Sequence, residues 1–185
     1  MKTGLLLEGG GMRGLYTAGV LDVLMENSIK IDTIIGVSAG ALFGMNYKSK
    51  QKGRVLRYNK KYLDGGIADS IPIDKIMNMN FDRVIVVLTR PINYRKKKTN
   101  KIFPKIYYRK YPKFVETINN RYIRYNEQLN KILDLEKNKK IFVIRPSKII
   151  KIRRVEKDCN KIQKMYDLGN EDSTNLLEQL KEYLK

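Results

Sequence analysis

The residue best suited to chemistry is Ser38, which lies in a G-x-S-x-G motif directly after the apolar residues 33–35. A G-x-S-x-G motif between a strand and a helix holds its serine on a sharp turn, with the hydroxyl exposed at the edge of the sheet. In most such sites a histidine accepts the serine proton, but this chain contains no histidine. Serine chemistry would therefore need another base, and a carboxylate is the natural candidate.

A second glycine motif, residues 9–14, lies between the apolar run at residues 3–7 and a helical pattern. Glycines let the backbone turn so that several amide N–H groups point into one concave site, and a following helix adds its positive dipole. Such a site could bind a phosphate, or the oxyanion that forms when a carbonyl is attacked. Next to an exposed serine, this loop predicts acyl transfer.

The same loop also fits the dinucleotide pattern G-x-G-x-x-G, which gives an alternative function. That pattern requires an acid at the end of the second strand, to bind the ribose hydroxyl. Asp32 stands at the start of the predicted second strand instead, and the serine motif occupies its end. A dinucleotide-binding module is therefore the less favoured alternative.

Asp64, in the sequence Asp64-Gly65-Gly66, is the candidate for the missing base. An Asp-Gly pair is also common in hairpin turns, and spacing alone does not separate the two interpretations. A carboxyl group has an ordinary pKa of about 3.9. It could accept a serine proton only if it were partly desolvated and in direct hydrogen-bond contact, with the oxyanion site lowering most of the barrier.

Taken in chain order, the loop at 9–14, the serine motif and Asp64-Gly65-Gly66 resemble the three sequence blocks of the patatin-like phospholipases, in particular their bacterial cytoplasmic branch. The resemblance implies a lipid acyl hydrolase with a Ser–Asp dyad on a three-layer α/β/α sandwich. It assigns Ser38 as the nucleophile and Asp64 as the general base. It places the oxyanion hole in the first block, at Gly9, Gly10, Gly11, Met12, Arg13 and Gly14, with Gly36, Gly40, Gly65 and Gly66 as supporting residues.

The chain departs from this family in the distance between its serine and aspartate motifs. Asp64 follows Ser38 by 26 positions (64 − 38), whereas members of the family have a much longer segment there. The resemblance therefore predicts an internal deletion near Lys60, within one reduced patatin-like domain over residues 1–185. Loss of central strands would shorten the acyl-chain pocket, so a non-catalytic remnant that binds a membrane or a partner is the alternative function.

The composition limits the other classes of function. Cys159 is the single cysteine in the 185 residues, and the absence of histidine leaves almost no zinc ligands. We therefore expect no metal, no organic cofactor and no disulfide framework. The longest uncharged stretch, residues 33–47, is shorter than the roughly 20 apolar residues of a membrane-spanning helix. These features predict a cytoplasmic protein that acts on a lipid or a small ester, alone or as an oligomer.

The net charge of +19 favours polyanionic partners. Residues 90–113 contain ten Lys and Arg residues, several tyrosines and no acid. Each basic residue close to an anionic bilayer contributes about 1 kcal/mol, and tyrosines favour its interface, which predicts peripheral contact with the inner membrane surface. The candidate contacts are Arg95, Lys96, Lys97 and Lys98. A solvated basic loop is the alternative, and nucleic acid is disfavoured because no nucleic-acid-binding motif accompanies the segment.

The apolar spacing predicts short buried strands that alternate with helices, which is typical of a mostly parallel sheet covered on both faces. The predicted strands are Thr3–Leu7, Thr33–Val37, Arg83–Leu88 and Lys140–Ile144. The predicted helices are Leu15–Met25, Ala39–Lys50, Pro112–Leu135, Val155–Tyr166 and Ser173–Leu184, the last two separated by Gly169.

Overall fold

The computed structural model describes residues 1–48, 66, 69–98, 106, 108–153 and 155–185 of the chain. Asp64, Gly65 and the deletion predicted near Lys60 lie outside these residues, so the structure leaves those three predictions as they stand.

A four-stranded parallel sheet lies at the centre of the described residues. Its strands are β1 (Thr3–Leu7), β2 (Thr33–Gly36), β3 (Arg83–Val87) and β4 (Phe142–Ile144), in the order β2-β1-β3-β4. Leu7 at the end of β1 pairs with Gly36 on one side and Val87 on the other. This register brings the segments that follow β1, β2 and β3 to one edge of the sheet, which is where α/β proteins bind their ligands.

Helices cover both faces of this sheet. One layer contains α1 (Gly14–Glu26), α2 (Ala39–Lys48), α5 (Cys159–Asn175) and α6 (Leu177–Tyr183), and the other contains α3 (Ile73–Met77) and α4 (Pro112–Lys137). Along β1 the side chains alternate between the two cores: Leu5 and Leu7 pack in the first layer, and Leu6 packs in the second. The arrangement confirms the predicted α/β/α sandwich with a parallel sheet.

Glycines let α1 and α5 cross in backbone contact. A Cβ atom at Gly169 would lie 2.1 Å from the carbonyl oxygen of Tyr16, and one at Gly19 would lie 2.2 Å from that of Tyr166. Neither position could carry a side chain without moving one helix away from the other. The crossing attaches α5 to the same sheet that carries the N-terminal motifs.

The prediction that Gly169 separates two C-terminal helices is therefore wrong. Gly169 is buried within α5, and the helix continues to Asn175 before a break at Leu176. Glycine costs about 1 kcal/mol inside a helix, but here the close packing on α1 outweighs that cost. The predicted start at Val155 is also wrong, because the Asp158 side chain accepts hydrogen bonds from the next turn and caps the helix at Cys159.

The last predicted helix, Ser173–Leu184, is wrong at its start, because residues 173–175 belong to α5 and α6 begins only at Leu177. The four predicted strands and the first three predicted helices agree with the structure to within two residues at each end that it describes. The short helix α3 was not predicted. No helix in the described ranges combines the length and the apolar content that crossing a membrane requires.

Candidate active site

The glycine loop, defined as residues 9–14, leaves the end of β1 and turns sharply into α1. Gly11 has a φ of 57°, in the left-handed region that residues with a side chain rarely adopt. A 3₁₀ turn over Gly11–Arg13 then leads directly into the helix. The glycine at position 11 is thus required by the backbone conformation of the loop.

The amide groups of this loop differ in what they bind. The Gly9 amide donates to the Ser70 carbonyl (3.2 Å), the Arg13 amide to the Gly10 carbonyl (3.3 Å), and the Gly14 amide to carbonyls of the turn itself. Within the described ranges, the amides of Gly10, Gly11 and Met12 donate to no backbone carbonyl. Of the six predicted oxyanion residues, these three have the amides available for an anion.

Ser38 lies on a strained turn between β2 and α2. Its φ is 54°, and its side chain is half-buried. The Gly40 amide donates to the Val37 carbonyl (3.0 Å) and the Ala41 amide to the Ser38 carbonyl (3.0 Å), so α2 starts at once after the serine. A left-handed conformation costs a non-glycine residue roughly 1–2 kcal/mol, and such strain is typical of functional turns.

The glycine loop and the serine turn are in contact. A Cβ at Gly9 would lie 3.4 Å from the Ser38 Cβ, and a Cβ at Gly40 would lie 2.7 Å from the Leu7 carbonyl oxygen. A Cβ at Gly36 would lie 2.6 Å from the Ala41 amide nitrogen. Positions 36 and 40 therefore require glycine, because another backbone segment lies where their Cβ atoms would be: the start of α2 at Gly36 and the end of β1 at Gly40.

Gly66, from the third motif, is buried and borders the same cavity as the glycine loop. The Ser70 hydroxyl donates to the Gly66 carbonyl (2.8 Å), and the Ser70 carbonyl accepts from the Gly9 amide. Ser70 thus joins the segment after the aspartate motif to the glycine loop. Asp64 and Gly65 themselves lie outside the described residues.

Glu8, which the sequence analysis did not single out, is a buried acid immediately before the glycine loop. Only 2% of its surface is exposed. One carboxylate oxygen accepts from the Thr89 amide (2.6 Å) and hydroxyl (3.0 Å), and the other accepts from the Tyr125 hydroxyl (2.7 Å). Burial, together with the Glu8 charge, raises the pKa of Tyr125 well above its ordinary value. Glu8 therefore ties β1 to the end of β3 and to α4.

A cavity of about 120 Å³ lies between the glycine loop and the segments that face it. Four cationic side chains line it: Arg13 from the glycine loop, Arg90 and Lys96 from the segment after β3, and Arg121 from α4. We call it the cationic cavity. Sequence reasoning missed Arg90 and Arg121 as site residues, although Arg90 follows a parallel strand and Arg121 lies one helical turn before Tyr125.

The four predicted membrane contacts divide into two groups. Arg95, Lys97 and Lys98 are exposed, as expected for a surface segment. Lys96 is half-buried, and its ammonium lies 4.0 Å from the centre of the Tyr125 ring. Lys96 therefore belongs to the cationic cavity rather than to the exposed basic surface.

Comparison with known proteins matches two segments of the chain. Residues 5–58 match the family described as Patatin-like phospholipase, and residues 111–185 match the Domain of unknown function (DUF6363). A Caenorhabditis elegans protein named for a patatin-like phospholipase domain is 35% identical over 68 residues, which make up 37% of this chain and 6% of that protein. The chain thus spans only a small part of the length of this curated relative. The first matched segment contains the glycine loop and Ser38, and the second contains Arg121 and Tyr125.

Proposed function

We propose that the chain, whose residues 5–58 match the patatin-like phospholipase family, is a lipid acyl hydrolase with Ser38 as its nucleophile. In the proposed reaction the Ser38 hydroxyl oxygen attacks the ester carbonyl, and Asp64 accepts its proton. The alcohol then leaves with that proton, and the acyl group stays on Ser38. Asp64 next removes a proton from water, which attacks the acyl-enzyme. The bond to Ser38 breaks, the proton passes from Asp64 to the serine oxygen, and the fatty acid is released.

The contact between the glycine loop and the serine turn is the observation that supports this proposal most directly. The tetrahedral intermediate carries a negative charge on the former carbonyl oxygen, and donors placed in advance around that oxygen lower the barrier. The amides of Gly10, Gly11 and Met12 are the proposed donors, because the other amides of the loop already donate to carbonyls. Arg13, directly after them, brings a positive charge to the same region.

The assignment of Asp64 rests on the order of the three motifs and on the position of Gly66. Gly66 follows Asp64 by two residues and borders the cavity that contains the glycine loop. No histidine in the chain could take the role instead. An Asp64→Asn variant keeps the shape of the side chain but removes the base, so we expect it to retain folding and lose turnover.

A fluorophosphonate probe tests the proposal, since it forms a covalent bond only with an activated serine. We expect labelling of the full chain that disappears in Ser38→Ala. Ser28→Ala is a matched control, because Ser28 also has a left-handed φ (53°) but is exposed at the far end of α1. Labelling that survives in Ser38→Ala would refute the nucleophile. A folded chain that is never labelled would instead support a non-catalytic binding protein with this fold.

We also propose that the exposed basic surface contacts an anionic membrane. Its cations are Arg95, Lys97 and Lys98, and the same basic sequence segment, residues 90–113, also exposes the apolar side chains of Ile92 and Tyr111. Basic residues with exposed apolar groups suit the interface of an anionic bilayer.

Vesicle sedimentation tests this surface. We expect binding to phosphatidylglycerol vesicles that falls with salt and is lost when Arg95, Lys97 and Lys98 become glutamine. A control triple, Lys157, Lys161 and Lys164 to glutamine, removes the same charge from α5 and the segment before it. Equal losses of binding for both triple variants would mean that only the net charge of the protein matters. Undiminished binding to neutral vesicles in high salt would contradict the proposed electrostatic contact.

A further inference from the structure

Three of the four cations of the cationic cavity, Arg13, Arg90 and Lys96, are not paired with a carboxylate of the residues that the structure describes. Glu8 is the one acidic side chain among the described residues that line the cavity, and its two oxygens already accept three hydrogen bonds from Thr89 and Tyr125. Among the described residues, the cavity is therefore lined by four cationic groups and by one carboxylate that is already engaged in hydrogen bonds.

Aromatic rings, rather than acids, hold two of these cations in place. The Arg90 guanidinium lies 4.4 Å from the centre of the Tyr94 ring, and the Lys96 ammonium lies 4.0 Å from that of Tyr125. The two tyrosine rings meet edge to face, with centroids 5.9 Å apart. A cation held on a ring face gives none of its N–H groups to a carboxylate, so its charge is not neutralised and all of these donors stay available for an anion.

The backbone around Lys96 is positioned as firmly as its side chain. The Lys96 amide donates to the Asn126 side-chain oxygen (2.9 Å), and the Asn126 amide group donates back to the Lys96 carbonyl (3.0 Å). This reciprocal pair attaches the segment after β3 to α4. Because the donors are ordered in advance, a ligand that enters the cavity loses less of its binding free energy to ordering them.

The cations also raise one another's electrostatic energy. The pKa of Lys96 is lowered to about 8, first by burial and next by the nearby charge of Arg121. The pKa of Arg13 is lowered as well, by burial and by Arg90. An anion in the cavity would relieve this repulsion, and the available space is about ten times the roughly 10–15 Å³ that one water molecule needs.

From this geometry we propose that the cationic cavity binds a small phosphate-type oxyanion, held by charge-assisted hydrogen bonds from Arg13, Arg90 and Lys96. The guanidinium groups suit phosphate because their planar N–H groups match two of its oxygens at once. Ser38 is not among the described residues that line the cavity, whereas Gly9, Gly10 and Gly11 are, so the site adjoins the glycine loop on a side away from the serine hydroxyl's own turn. Phosphate binding at this site does not require turnover by Ser38.

Isothermal titration of the full-length Ser38→Ala variant tests the site without hydrolysis. Inorganic phosphate and glycerol 3-phosphate are titrated at constant ionic strength, so that general screening stays the same. We expect saturable binding of at least one of them. Lys96→Gln and Arg90→Gln should each weaken it by at least about tenfold, which is the usual effect of losing one charge-assisted hydrogen bond.

Lys97→Gln is the matched control, because it removes the same charge from the neighbouring, exposed position. It should change the affinity by less than about twofold, as expected for a solvent-screened surface charge. Equal losses for Lys96→Gln and Lys97→Gln would overturn the site in favour of general surface charge. No saturable binding of either compound would overturn it as well.

A third arm separates the two sources of a phosphate group. In this arm dihexanoyl phosphatidic acid is titrated in the same way. If it binds at least tenfold more tightly than inorganic phosphate, and inorganic phosphate displaces it, the cavity is assigned to a lipid headgroup. Inorganic phosphate that binds as tightly as the lipid would assign it to the free ion. The fluorophosphonate test of Ser38 is independent of all three arms, so failure of either proposal leaves the other intact.

Discussion

The glycine loop and the cations that face it border the same cavity, but they obtain their positive potential in different ways. The loop offers backbone amides, which glycine places close together and which carry no full charge. The segment after β3 and α4 offer long side chains, which tyrosine rings and one asparagine hold in place. The first arrangement is rigid and local in sequence, and the second joins residues far apart in the chain.

This difference determines which substitutions each part of the site is sensitive to. A backbone donor cannot be removed by changing its side chain, so the glycine side is disturbed by adding atoms. A cation can be removed one side chain at a time, and its charge depends on pH and on bound anions. We therefore expect changes on the glycine side to affect folding and chemistry together, and changes on the cationic side to affect binding and pH dependence.

The largest effect is expected for Ser38→Ala, which removes the proposed nucleophile from the glycine side. We expect hydrolysis of a p-nitrophenyl ester to fall by a factor of at least about 10⁴, because other groups cannot replace the lost oxygen. The measurement is kcat/KM against Ser28→Ala. A loss of less than tenfold would show that hydrolysis occurs elsewhere on the protein.

The next effect concerns Gly40→Ala. The added Cβ would lie 2.7 Å from the Leu7 carbonyl oxygen and 2.9 Å from that of Glu8, so it would separate α2 from the end of β1. We expect a loss of about 1–3 kcal/mol in the free energy of unfolding, measured by urea denaturation.

Gly44→Ala, one turn later in the same helix, is the control for that variant. Its Cβ would meet only side-chain atoms of Ile34 and Leu7, which can move. Its loss should therefore be smaller. Equal losses for the two variants would mean that the close contact at Gly40 has no special role.

A smaller effect tests the strain at Ser38. Because its φ of 54° suits glycine, we expect Ser38→Gly to be more stable than Ser38→Ala by about 1 kcal/mol. Thermal denaturation of the two inactive variants measures this difference. If Ser38→Gly were the less stable of the two, the turn would not be strained.

The smallest effect is expected on the cationic side, from Lys96→Met. The folded state holds the pKa of Lys96 at about 8, below its ordinary 10.5, so below pH 8 the charged lysine opposes folding. The groups that face it are Arg121 and Tyr125 on α4, Arg13 and Glu8 beside the glycine loop, and Arg90 after β3.

As the pH rises from about 8 to 10.5, the unfolded state binds more protons at this residue than the folded state, so stability rises with pH in that window. Lys96→Met should therefore have a higher Tm than the wild type near pH 7, and the gap should narrow toward pH 10. Lys97→Met, at the exposed neighbour, should show no such change. A gap that widened with pH would contradict the cavity electrostatics.

The sequence was sufficient for the parts of the site that depend on local conformation. Gly11 and Ser38 were identified because a left-handed turn and a G-x-S-x-G motif are encoded by adjacent residues. The four strands were identified because their apolar runs are continuous. The role of Gly169 was misjudged, since its effect depends on Tyr16, which lies far away in the sequence.

The sequence by itself thus determined the sheet, the glycine loop and the serine turn, because each follows from the backbone preferences of neighbouring residues. Only the tertiary structure decided that Glu8 bridges β3 and α4, that Lys96 faces inward while Lys97 faces solvent, and that Arg13 and Arg90 border one cavity. The physical reason is that charge acts through space. A lysine in a basic run becomes a binding group or a surface group according to which helix packs against it, and no local pattern records that contact.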